Sequence, residues 1–315
     1  MSEQRVLVIE NPAHLRIETG RLKIERDGFD PVFVSPKDVA VLCLENHTIT
    51  LSVAVLRSLA EVGASILVTD SRHLPCAMQL PLAATGKDAG RLRQQIALDA
   101  SEKRGELWQQ LISAKLFTQS CALRHLKRKG VLRLERLATQ VQYGDKSNTE
   151  GQGAKLYWRN LFPVTFRRNK EGAEDPLNIR LNYGYAVLRA MIARSLVAAG
   201  LNGTLGLGHC NAGNAFNLVD DFIEPFRFMV DVHLANDVDC LSEAREFDSD
   251  AKRYLLGFVV RPLRISGQDM RLHAAIDASI ASFLRILEGK GKKLVLPEGL
   301  AIGEDEQQWL STDGV

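Results

Sequence analysis

Near residue 85 the spacing of apolar side chains changes from every second residue to every third or fourth, which splits the chain into a β-rich part and a helical part. Before the change, Arg5 to Glu10 reads as a short apolar strand. Leu15, Ile17, Leu22 and Ile24 then alternate with polar residues on either side of Thr19-Gly20, the pattern of two half-buried strands joined by a tight turn. Val39 to Leu44 is a continuous apolar run, as in a strand covered on both faces. Ser52 to Val62 has helical spacing and stops at Gly63, and Ser65 to Thr69 returns to a buried strand. Pro75 and Pro81 then lead into Ala83-Ala84-Thr85-Gly86-Lys87, a linker composition.

Beyond Asp88 the period is helical almost throughout. Ile96, Leu107, Leu111, Ile112, Leu116 and Leu123 mark one or two long helices that end at Lys127-Arg128-Lys129-Gly130, and Leu132 to Val141 continues the pattern. Asn148 or Thr149 is placed to cap a helix beginning at Glu150, and Leu181 to Ala199 forms an apolar helix closed by Gly200. Asn214 is placed to cap Ala215 to His233, where Pro225 should introduce a kink. The expected fold is therefore α+β. A β-rich domain over residues 1–82 and a linker over 83–92 precede a larger all-α domain over 93–296 and a loosely held tail over 297–315.

Composition narrows the function classes. With 315 residues, 45% of them hydrophobic, the chain can bury a large core, and no N-terminal signal pattern or membrane-length apolar run is present, which points to the cytoplasm. Cys43, Cys76, Cys121, Cys210 and Cys240 are odd in number and lack a CxxC pair, which argues against a disulfide framework or a structural zinc site. The net charge of +2 gives no nucleic-acid signal by itself, so any such signal must come from where the 40 Lys and Arg lie.

The chemistry concentrates in Gly208-His209-Cys210 and in the segment from Asn217 to Arg227. Asp221 and Glu224 are three apart, on one helical face, with His209 in the loop that leads in. Glu150 completes a set of hard oxygen donors and one imidazole suited to Mg or Mn, which can polarise a phosphodiester. The same residues would also serve as solvated helix charges and a backbone-bonded loop histidine. Lys127, Arg128, Lys129, Arg133, Arg136, Arg167, Arg168 and Lys170 flank the Glu150 segment, and Lys290, Lys292 and Lys293 form a second basic group. With Arg189 and Arg227 they are candidates for DNA phosphate contacts, although cations at helix ends also complement the dipole. Tyr157, Trp158 and Phe162 offer faces for stacking a splayed base and equally fit a packed core. Gly206, Gly208 and Gly213 are turn glycines rather than a phosphate loop, and Ser195 and Ser279 lack a nucleophile elbow.

Several segments, in order, resemble one family. They are Asn178-Ile179-Arg180-Leu181-Asn182-Tyr183-Gly184-Tyr185-Ala186, Ala199-Gly200-Leu201, Gly206-Leu207-Gly208-His209, Asp221-Phe222-Ile223-Glu224-Pro225-Phe226-Arg227 and Val230-Asp231. Together they closely resemble the universal CRISPR-associated endonuclease and integrase of spacer acquisition, in the form that accompanies type II systems. Thr149 to Trp158 resembles that family's first acidic ligand segment, with Gly151 and Gly153 in place of the usual alanines, at a helix cost of about 1 kcal/mol each. The resemblance implies an N-terminal β-sandwich-like dimerisation domain and a helical catalytic domain. It implies a Mg or Mn ion held by Glu150, His209 and an acid of the Asp221/Glu224 pair, with Asp220 a further candidate. It also implies a homodimer, two of which are bridged by a small ferredoxin-like partner. The implied reaction is insertion of short foreign DNA into a CRISPR array through attack of a 3′-hydroxyl, in antiviral defence. Two alternatives use the same residues: a metal-dependent nuclease or resolvase of branched DNA in repair, with water as nucleophile, and a non-catalytic DNA-binding scaffold.

Overall fold

Two small sheets build the N-terminal part. In the computed structural model, which describes residues 5–70, 75–82, 88–163, 165–169, 175–236 and 247–301, β1 (Arg5–Ile9), β5 (Val39–Leu44) and β7 (Ser65–Thr69) are parallel, and β8 (Pro75–Gln79) is antiparallel to β7. β2 (His14–Glu18), β3 (Arg21–Glu25) and β4 (Val32–Val34) form an antiparallel meander with β6 (Thr50–Leu51) beside β2. The β2–β3 turn places Thr19 at φ 49° and Gly20 at φ 76°, the left-handed pair whose twist matches that of the strands. Leu15, Leu22 and Ile24 of one sheet meet Val39, Leu42 and Ile66 of the other, together with Val55 and Leu59 of α1 (Val53–Glu61). Val41, Cys43 and Leu67 point the opposite way, into the helical core. The unbroken apolar run at 39–44 thus reflects a strand buried on both faces.

The helical region is organised by α3 (Lys103–His125) and α6 (Pro176–Ala198), around which α2 (Asp88–Asp99), α4 (Val131–Gln140), α5 (Thr149–Leu161), α7 (Asn217–Ile223), α8 (Phe228–Asn236), α9 (Ser249–Leu256) and α10 (Leu272–Leu287) pack. α6 starts five residues before the apolar pattern does, because Asp175 caps it through Asn178 N at 2.9 Å and Pro176 sits in its first turn. A buried ionic knot joins this region to the sandwich: Glu45 accepts from Tyr183 Oη at 2.5 Å and pairs with Lys252 of α9. No helix among the described residues is long and apolar enough to cross a membrane.

The α+β order agrees with the sequence reading, and five details differ. The expected single helix Ala215 to His233 begins at Asn217 and breaks over Glu224–Phe226, a 3-10 turn at Pro225, before α8 resumes. Asn214 accepts from Phe216 N at 3.0 Å and turns the chain ahead of the helix rather than capping it. The all-α expectation misses a three-stranded antiparallel sheet of β9 (Pro262–Ile265), β10 (Gln268–Arg271) and β11 (Pro297–Leu300). Its strands are four residues long, too short for alternation to stand out, yet Ser266-Gly267 between β9 and β10 is a left-handed turn pair. β11 also anchors the start of the tail expected to be loose; residues 302–315 lie outside the described residues. Of the expected linker, 83–87 lie outside them as well, while 88–92 belong to α2.

At the junction of α5, α6 and α8, the fully buried Asp231 accepts from Tyr157 Oη at 2.9 Å and from Tyr185 Oη, and the Arg227 guanidinium lies 4.5 Å from the Tyr185 ring centre. Burial pushes the Asp231 carboxyl up to about 6 from the usual 3.8, against the lowering effect of both hydroxyls and the nearby arginines. A carboxyl raised on folding binds its proton more tightly in the native state, so its contribution to stability is greatest below about pH 4 and declines as pH rises to about 6. Between pH 4 and 7 the wild type should therefore lose stability relative to Asp231→Asn, by an amount on the order of 3 kcal/mol. Urea unfolding of both proteins across that range checks this, and parallel pH profiles would refute it.

Candidate functional site

Glu150 is set by the first turn of α5. Asn148, itself left-handed at φ 50°, accepts from Gly151 N at 3.1 Å, and the Asp145 carboxylate accepts from Thr149 N at 2.8 Å and Glu150 N at 3.1 Å. Three otherwise orphaned amides are thereby satisfied by negative or polar groups at the positive end of the helix. From there Glu150 Oε1 meets Lys115 Nζ of α3 at 2.6 Å. The approach depends on Gly153, where a Cβ would fall 2.1 Å from Leu116 Cδ2. The glycine that weakens the isolated helix thus lets α5 press against α3 at the residue next to Lys115.

Glu224 arrives from the opposite side. The Pro225 break turns its side chain toward α3, where Thr118 Oγ1 donates to Pro225 O at 3.2 Å and Lys115 Nζ lies 2.5 Å from Glu224 Oε2. Arg227 Nε donates to Glu224 Oε1 at 3.0 Å. Oε2 therefore has the Lys115 ammonium as its partner, and Oε1 has the Arg227 guanidinium. Burial pushes the Glu224 carboxyl up, but Arg227 and Lys115 outweigh it and hold the group down at about 2. Burial lowers the Lys115 ammonium, and Glu224 with Glu150 more than reverses this. Glu150 and Glu224, remote in sequence, thus stand one ammonium apart.

Asp221 and His209 form the adjoining pair. The Asp221 carboxylate is fully buried and accepts from the backbone N–H of Leu207, of Gly208 at 3.2 Å and of His209 at 2.9 Å, besides lying 2.8 Å from His209 Nδ1. With Nδ1 held by a carboxylate, Nε2 is the nitrogen left for a cation, the arrangement common to metal-ligating histidines. The bond to Asp221 raises the His209 pKa, against burial. Trp108 of α3 meets the imidazole edge-on at 5.6 Å and leaves no room for a side chain at 208, where a Cβ would lie 2.2 Å from the indole.

The two acids three residues apart therefore do different work. Asp221 is fully engaged by the loop, and Asp220 by Arg189, at 2.7 and 2.8 Å, and by Asn214 at 2.7 Å. Glu150, Glu224 and His209 Nε2 are the donors suited to a hard divalent ion. Among the described residues no three such groups converge into a ready ligand cluster, and Lys115 stands between the glutamates.

The basic residues separate into two groups. Lys127, Arg128, Lys129 and Arg133 are exposed, as is Arg167. Gly130 lies against Asn160, near the far end of α5 from Glu150, so this patch lies about 15 Å along α3 from Lys115 rather than converging on it. Arg168 is held by Asn178 at 2.7 Å and Asn182 at 2.6 Å, Arg189 by Asp220, and Arg227 by Glu224. Lys170 and Cys240 lie outside the described residues. Tyr157 is fully buried, Phe162 nearly so, and Trp158 stacks on Phe162 at 6.0 Å, which makes these aromatics core. Cys210 is exposed and touched by the Arg104 guanidinium.

Sequence reasoning missed Lys115, Trp108 and Asp145. Lys115 had a visible signal: it continues the four-residue spacing of Leu107 and Leu111 on the buried face of α3, where an unpaired ammonium is untenable.

Gly153→Ala should lower stability by about 1–3 kcal/mol through overpacking, exceeding the helix-propensity gain of about 1 kcal/mol. A raised midpoint in urea would show that α5 has room to spare. Asp221→Asn, which cannot accept all the loop amides, should cost about 2–4 kcal/mol and speed amide exchange at residues 207–209; slow exchange there would contradict the anchoring role.

Comparison with known proteins bears on the whole site. A protein-family model for the CRISPR associated protein Cas1 matches residues 6–257, a span that includes Glu150, His209 and Glu224. The CRISPR-associated endonuclease Cas1 of Neisseria meningitidis serogroup C (strain 8013) is 34% identical over 302 residues, 95% of this chain and 98% of the relative. Among solved structures, a casposase bound to integration product aligns with a TM-score of 0.79 at 19% identity, over 98% of this chain and 99% of that one. A Cas6-RT-Cas1–Cas2 complex aligns at 0.72 and 16% identity, over 93% of this chain and 36% of that one. At such identities the structures establish the fold alone. The family match and the Neisseria relative, each extending over most of the chain, show that this protein belongs to the Cas1 family of CRISPR-associated proteins.

Proposed function

We propose that this chain is a divalent-metal-dependent DNA endonuclease and integrase, which inserts short DNA duplexes into a CRISPR array during spacer acquisition. The observation that carries the reading is the placement of Glu150 and Glu224 one ammonium apart, beside a histidine whose Nδ1 is held by Asp221. The Neisseria relative named as an endonuclease and the casposase bound to integration product support the same chemistry.

Glu150, Glu224 and His209 Nε2 would hold Mg or Mn. When bound, the ion supplies Lewis-acid stabilisation of charge at phosphorus. Asp221 keeps the imidazole in the tautomer with Nε2 free, and Arg227 keeps Glu224 ionised. The 3′-hydroxyl of the incoming duplex attacks a phosphodiester at a repeat boundary; one P–O bond forms as another breaks, so no external energy source is needed. The exposed patch at Lys127, Arg128, Lys129 and Arg133 contacts phosphates remote from the reacting one. The sandwich provides a homodimer contact, and two dimers are bridged by a small ferredoxin-like partner of the Cas2 kind, in keeping with the Cas1–Cas2 assembly among the structural neighbours.

Incubated with that partner, a prespacer duplex and Mg or Mn, the chain should join DNA ends into a repeat-bearing plasmid. Glu150→Ala and His209→Ala should each reduce joined product at least about 100-fold. Undiminished joining in either variant would sink the assigned site, and cut ends without joined strands would favour a nuclease using water.

A further inference from the structure

We propose that Lys115 is a built-in counter-cation, whose ammonium holds Glu150 and Glu224 together in the metal-free protein and gives up its place when a divalent ion binds. The inference rests on the metal-dependent reading above and assigns a positioning residue to it.

Three observations carry it. Lys115 projects from the middle of α3, its side chain only 8% exposed, and its Nζ contacts Glu150 Oε1 at 2.6 Å and Glu224 Oε2 at 2.5 Å. It therefore occupies the point between the two carboxylates that a shared cation would take. Charge is the second. With Arg227 also on Glu224, two carboxylates face two cations and the cluster is neutral as it stands. Adding a divalent ion while the ammonium stayed within contact distance would set like charges against each other in a buried site, where their repulsion far exceeds thermal energy. The third is the asymmetry of the two cations. Arg227 is fixed by its bond to Glu224 and by the Tyr185 ring, whereas Lys115 ends a flexible four-carbon stem, and Glu150, a third exposed, opens toward solvent. Lys115 is thus the cation able to leave.

The device solves a folding problem. Without a metal, two buried or half-buried carboxylates approaching this closely would repel, and the turn at Glu224 would be free to swing away from α5. The ammonium keeps the cradle assembled, at the expense of weaker metal binding.

Isothermal titration of MnCl2 into the full chain, with thermal unfolding in chelator, tests this using Lys115→Met and the hydrogen-bonding Lys115→Gln in case the first does not fold. Each variant should bind Mn at least about tenfold more tightly than wild type, and each should unfold several degrees lower when metal-free and recover with Mn. His209→Ala in the same titration should abolish the heat, which ties it to this site. Equal or weaker Mn affinity in the variants, with wild-type binding intact, would overturn the counter-cation and leave the metal reading standing. Mn binding by the variants alone would support it in its strongest form, and Mn binding by none of the proteins would overturn both.

Discussion

A helix can carry a lysine in its buried stripe only where carboxylates meet it, and at Lys115 that requirement organises the centre of the molecule. Burying an ammonium alone is prohibitive, so in the metal-free protein α3 keeps this register with Glu150 and Glu224 both delivered to it. Each delivery has its own local device. Gly153 lets α5 close on Leu116, and the Pro225 break, tied to α3 by Thr118, turns Glu224 inward. Residues spread over more than a hundred positions, from Lys115 to Glu224, thereby meet at one point charge.

The neighbouring acids show how alike residues diverge by environment. Asp221 spends its oxygens on the amides at 207–209 and on the imidazole, a role of shape that leaves it little to offer a ligand. Glu224 instead meets two side-chain cations, Arg227 and Lys115, which hold it ionised. A buried carboxylate kept charged by cations, one of them movable, is suited to exchanging that one for another, and one saturated by fixed donors such as backbone amides is suited to fixing a loop. Asp220, saturated by Arg189 and Asn214, belongs with the second kind.

Much of the fold was legible where local physics and tertiary context agree. Thr19-Gly20 dictates its turn, Gly63 ends α1, Gly200 ends α6, and Pro225 breaks its helix, because each acts through its own backbone. The β9–β10–β11 sheet was illegible for the opposite reason: four-residue strands carry too few alternations, and β11 is a strand only because β9 is there to pair with it. Of the site, Glu150, His209, Asp221 and Glu224 were visible as residue types suited to one chemistry, whereas the basic residues expected to converge on them divide into an exposed patch and half-buried arginines engaged by acids or asparagines.

By itself the sequence determined the order of β-rich and helical parts, the turn and break positions, and the family to which its ordered motifs belong, since all of these are written in short segments. Only tertiary structure decided which acid anchors and which faces a cation, that Gly153 is a contact rather than a weakness, and that Lys115 stands between the glutamates. Those outcomes depend on distances between side chains from different elements, and burial sets their energies. Neither quantity exists until the chain has folded.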